Sequence, residues 1–125
     1  MLLWKDRENF LRLERGTRGK HEIYFVGCLG NRDVGIGRGR LLPVGAGSAS
    51  TSRVFLRLER IGHRVNVLCS ADGEEWFTVG YAEFPVEDPV EVGLHAIGDI
   101  DRTTYHGAFP EGTAIRFESF HLWTI

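Results

Sequence analysis

At 125 residues the chain is long enough for one domain with a real core. Hydrophobic residues make up 42% of it and the net charge is only −2, a balance that excludes a disordered tail. Acidic and basic residues are interspersed and no apolar run reaches the length of a membrane span, so neither a nucleic-acid nor a membrane partner is expected.

Helical periodicity is missing throughout, and apolar and polar residues alternate instead. The alternation predicts nine strands, at 2–5, 10–15, 22–26, 34–40, 54–60, 65–70, 76–83, 90–96 and 114–123. The second strand is Phe10-Leu11-Arg12-Leu13-Glu14-Arg15, and the hexapeptide returns unchanged as Phe55-Leu56-Arg57-Leu58-Glu59-Arg60. Its period of two turns the leucines to one face and the charges to the other. Polar connectors at 6–9 and 16–19 and a Gly/Ser-rich loop at 45–52 separate the early strands. In Val34-Gly35-Ile36-Gly37-Arg38-Gly39-Arg40 a glycine at every second position leaves one face bare. Either another segment packs closely there or the strand bends. Asp72-Gly73 between two alternating runs marks a hairpin.

With Leu11, Leu13, Leu56 and Leu58 inward, the matching inward positions are Val65, Val67, Cys69, Val92, Leu94, Ile115 and Phe117. The outward set is then Arg12, Glu14, Arg57, Glu59, His95, Arg116 and Glu118. Many short strands with one apolar face each define an all-β antiparallel sandwich in a single domain over 1–125.

Four strings carry a resemblance: residues 2–15, residues 54–60, Ser70-Ala71-Asp72-Gly73-Glu74-Glu75-Trp76, and Val92-Gly93-Leu94-His95-Ala96. Together they resemble a bacterial family of concanavalin A-like lectin/glucanase domains of uncharacterised function. More distantly the chain is similar to the C-terminal β-sandwich of family 43 glycoside hydrolases. The resemblance implies a jelly-roll sandwich acting as a non-catalytic carbohydrate-binding or accessory module with an oligosaccharide partner. A glycoside hydrolase is one alternative, and a structural or protein-interaction module is the other. Members of that family usually carry more strands ahead of the segment that starts here. The sheet is therefore expected to lack neighbours and to form a homo-oligomer that covers the exposed strands.

Glu14 and Glu59 are the candidate catalytic pair, since glycosidases need two carboxyls about 5–9.5 Å apart. That reading requires the two repeat copies to lie close together on one sheet. The competing reading is an ion-pair ladder, with Arg12 and Arg57 beside the glutamates on the same faces. Residues 95–107 form the richest loop. His95, Arg102, Tyr105 and His106, with Arg57 and Glu59, are the expected ligand-binding set. Asp99 and Asp101 are weak candidates for calcium, because the further acidic positions of a calcium loop are missing. Ser70 to Trp76 is similar to a sialidase Asp-box one residue short, in which the Asp organises a hairpin and the Trp packs beneath it. That motif is structural, and it puts Trp76 in the core. The histidines show no zinc-ligand spacing. Cys28 and Cys69 sit in strands and are expected as buried free thiols, which with no visible signal peptide favours a cytoplasmic setting.

Overall fold

Among the described residues alternation produces eight strands: β1 (Leu2–Asp6), β2 (Asn9–Arg15), β3 (Glu22–Leu29), β4 (Arg32–Arg40), β5 (Phe55–Ile61), β6 (Arg64–Ser70), β7 (Phe77–Glu83) and β8 (Glu91–Gly93). The computed structural model describes residues 1–15, 22–41, 53–95 and 116–124, and there is no helix among them. The chain divides into two units, Met1–His95 and Ala96–Ile125. All eight strands belong to the first. They form a five-stranded sheet, ordered β4-β3-β2-β1-β8, and a three-stranded sheet, ordered β5-β6-β7. Every pairing is antiparallel. The architecture is the expected all-β, sandwich-like pair of sheets.

The core lies between the sheets. Leu3, Leu11, Leu13, Ile23 and Phe25 enter it from the larger sheet. Val65, Val67, Cys69, Val79 and Ala82 enter from the smaller one, and Phe84 follows just after β7. Fully burying a side chain of this kind contributes about 1.5–3 kcal/mol. Cys28 and Cys69 are both buried and free, as expected. Burial raises the pKa of the Cys69 thiol.

Both readings of the glycine-rich strand hold. In β4, Gly37 pairs with Phe25 and Gly35 with Val26, which leaves Ile36 as an extra residue. In β7, Gly80 pairs with Val67 and Thr78 with Leu68, which leaves Val79 extra. These two bulges bring the strands together where the sheets meet. A Cβ on Gly80 would lie 3.2 Å from Gly37 Cα, and one on Gly37 would collide with the Val79 carbonyl.

Turns set the registers. Gly30 and Asn31, with φ of 57° and 61°, form the two-residue turn between β3 and β4. Two positive φ values match the twist of the flanking strands. The pair carries β3 beyond its expected end at residue 26. Gly62, with φ of 60°, opens the turn from β5 to β6.

Some expectations are corrected. No strand forms over 116–123, the described part of the ninth candidate, and Phe117 is 47% exposed. A strand needs a ladder partner, and alternation alone does not supply one. The eighth candidate shrinks to three residues at a sheet edge, leaving Val92 and Leu94 36% and 39% exposed. Glu14 is on the outer face as read, but it is only 8% exposed there. Trp76 is half-buried, outside the core. Ile115, the 16–19 connector and the 45–52 loop lie outside the described residues.

Candidate ligand-binding face

The two glutamates of the repeat occupy different sheets. Glu14 lies on β2, on the opposite face to Leu13, and Glu59 lies on β5, on the opposite face to Leu58. Leu13 belongs to the core between the sheets and Leu58 packs against it. The carboxylates therefore stand on the two outer faces and point away from each other. A pair acting across one glycosidic bond needs both on one groove. Each instead bonds the arginine two residues before it. Arg12 Nη1 lies 3.2 Å from Glu14 Oε1, and Arg57 Nη2 lies 2.7 Å from Glu59 Oε1.

On the outer face of the larger sheet, His95 Nε2 also reaches Glu14 Oε1, at 3.3 Å. Burial lowers the pKa of His95, and the nearby Met1 ammonium and Arg12 add to that, while the bond to Glu14 opposes it. Beyond this cluster Trp4 stacks on Phe10, with centroids 5.2 Å apart, and the Arg12 guanidinium lies 5.8 Å from the Phe10 ring centre. A shallow groove of about 370 Å³ runs beside Trp4, lined by Leu2, Trp4, Glu91, Val92 and Gly93. Glu91 is the one polar side chain in that lining.

The outer face of the smaller sheet is different. Glu59 of β5 pairs with Asn66 of β6, and Asn66 pairs with Tyr81 of β7. The register thus sets a carboxylate, an amide and a phenol in one row across three strands. Val65 and Val67 flank Asn66 in sequence and point inward, so the row faces solvent. Arg57 and Arg64 stand beside it. Arg64 Nε donates to Asn66 Oδ1 at 3.1 Å, and its guanidinium carbon lies 4.2 Å from the Tyr81 ring centre. The Arg57 guanidinium lies 5.7 Å from the Trp76 ring centre. The Tyr81 side chain is widely exposed, and Arg57 and Glu59 are partly so.

The turn at the end of this face is built by Asp72. Its Oδ1 accepts the backbone N–H groups of Glu74 at 2.8 Å and Glu75 at 2.9 Å and the Ser70 hydroxyl at 3.0 Å. Those bonds hold the Asp72 carboxyl below the usual carboxylate range. Trp76 Nε1 donates to the Gly73 carbonyl at 3.2 Å, which fixes the indole against the turn.

Of the expected ligand-binding residues, Arg57 and Glu59 come together on this face, and His95 lies on the other sheet. Arg102, Tyr105 and His106, and the calcium candidates Asp99 and Asp101, lie outside the described residues. Among the described residues no group of His, Cys, Asp and Glu is arranged to hold a metal ion. Sequence reading missed Arg64, Asn66 and Tyr81. The first two were accessible from their alternation with Val65 and Val67. No known family model, curated protein or solved structure matches the chain.

Proposed function

We propose that this chain is a non-catalytic carbohydrate-binding module of the concanavalin A-like kind, and that the outer face of β5-β6-β7 is where an oligosaccharide lies. The row Glu59–Asn66–Tyr81 carries this reading. Sugar hydroxyls donate and accept hydrogen bonds at neighbouring positions. The Arg57–Glu59 pair offers a donor and an acceptor side by side, and Asn66 offers both. The face of the Tyr81 ring turned away from Arg64 supplies a flat apolar surface for a pyranose face. The placement of Glu14 and Glu59 on opposite outer faces supports binding without cleavage.

Calorimetric titration with xylo- and gluco-oligosaccharides tests the reading. Saturable binding is expected with at least one series. Tyr81→Ala and Glu59→Gln should each weaken it about tenfold or more, equivalent to about 1.4 kcal/mol, with an unchanged circular dichroism spectrum. Lack of heat at millimolar sugar in both series would overturn it.

A further inference from the structure

The repeated hexapeptide is buried to different depths in its two places. Leu11 and Leu13 are 0% exposed, whereas Leu56 and Leu58 are only partly covered. The residues are identical, so position makes the difference. β2 lies between β1 and β3, but β5 has β6 on one side and, among the described residues, no strand on the other. Such an edge presents a row of backbone N–H and C=O groups ready to pair.

The chain also carries a segment with the converse deficit. Phe117, Phe120, Leu122 and Trp123 are 47%, 43%, 66% and 76% exposed, and no ladder forms over 116–124. The residue types favour strand.

One antiparallel register makes the two complementary position by position. On the core side it sets Leu122 opposite Leu56, Phe120 opposite Leu58 and Glu118 opposite Arg60. On the outer side it sets Trp123 opposite Phe55, Phe117 opposite Ile61, His121 opposite Arg57 and Ser119 opposite Glu59. A slip of one residue destroys the match. One direction puts Phe120 against Glu59 and Leu122 against Arg57, and the other puts Glu118 against Glu59. Cross-strand pairs are the unit of sheet stabilisation, so this register is selected over its neighbours.

We propose that the occupant of the β5 edge is a second copy of this chain, whose 116–123 segment adds as a fourth strand. The exchange is reciprocal and closes as a two-fold dimer. It covers Leu56 and Leu58 together with Phe120 and Leu122, and it holds with or without a sugar on the outer face.

Sedimentation of the 125-residue chain is expected to show a dimer, and Phe120→Asp a folded monomer that keeps β1–β8 and loses only the added strand. A mixing experiment fixes the register. Chains carrying Leu58→Cys are mixed with chains carrying Phe120→Cys and mildly oxidised. Directly opposite residues lie about 4.5–5.5 Å apart at Cα, within disulfide reach, so a covalent heterodimer is expected. Phe117→Cys in place of Phe120→Cys should give none. A monomer at all concentrations overturns the proposal. So does a Leu58→Cys/Phe120→Cys double variant that closes its disulfide within one chain.

Discussion

Glu14 and His95 are 81 residues apart in sequence and meet through a 3.3 Å contact between Glu14 Oε1 and His95 Nε2. With a neutral imidazole, Nε2–H donates to the carboxylate and Nδ1 is left buried without a partner. The groups facing this ring are Glu14, Arg12 and the Met1 ammonium, whose own pKa burial pushes down to about 6.

Burial of the His95 ring makes stability depend on pH, with the Glu14 bond opposing it in part. The folded pKa of His95 lies below the ordinary 6.5, so the folded chain prefers the neutral ring. Its contribution is complete above about pH 6.5 and is lost as the pH falls towards the folded value. The Met1 amine acts in the same direction, between 8.0 and about 6. Urea midpoints should therefore fall on acidification from pH 8 to pH 5. His95→Gln keeps an N–H donor for Glu14 and cannot titrate. It should flatten the part of the curve below pH 6.5 and leave the part above it. A variant curve parallel to the parent's would show that His95 is not the sensor.

The close approach of Gly37 to Val79 and Gly80 yields a graded comparison. A Cβ at Gly37 runs into the Val79 backbone carbonyl, which cannot move without shifting β7. Gly37→Ala should cost about 1–3 kcal/mol, the usual cost of forcing atoms into a packed interior. Gly35 lies two residues away in the same strand and has no atom within 4 Å of a built Cβ. Gly35→Ala should be neutral or stabilising by about 0.5–1 kcal/mol, because alanine has less freedom to lose on folding. Chemical denaturation of both variants checks the contrast, and equal effects would contradict it.

These positions also mark the limit of what was legible in the sequence. The alternation of leucine with charge located both copies of the hexapeptide and their inward faces. It could not say that, among the described strands, one copy is central and the other an edge, because strand order depends on contacts far apart in the chain. The glycine repeat announced a bare face without naming β7 as the strand that fills it. Tyr81 shows the same limit more sharply. Simple alternation from Val79 would point it inward. The bulge at Val79 shifts the parity, so Thr78 and Tyr81, three residues apart, share the outer face. A bulge set by crowding against another strand leaves no local signature.

Asp72 is expected to act on the turn rather than on a ligand. It accepts two backbone N–H groups and a hydroxyl, and alanine can accept none of them. Asp72→Ala should speed hydrogen exchange at the Glu74 and Glu75 amides by about tenfold or more, with smaller changes in β2 and β3. Because its pKa is lowered, the stabilisation by Asp72 is present above the ordinary 3.8 and lost as the pH falls through the folded value. Asp72→Asn keeps one acceptor oxygen and should show an intermediate effect without that acid dependence.

The passage from the smaller sheet to the larger one is held from both sides by cations. Arg60 projects from the core side of β5, opposite Val65, and donates from Nη1 to Asp88 Oδ1 at 2.6 Å and from Nη2 to the Val86 carbonyl at 2.8 Å. Lys5 of β1 donates to the carbonyls of Glu87 at 2.8 Å and Pro89 at 3.2 Å. The two contacts on Arg60 are unequal. Asp88 is 78% exposed, so solvent screens its attraction and can replace it, whereas the Val86 carbonyl meets the guanidinium in a partly buried place. Asp88→Asn should therefore cost less than about 1 kcal/mol. Arg60→Met keeps the apolar stem but abandons the carbonyl, and should cost about 1–3 kcal/mol. Combining the two in a double-mutant cycle should give a coupling smaller than the Arg60→Met effect itself. A coupling as large as that effect would place the anchor at the carboxylate rather than at the backbone of the crossover.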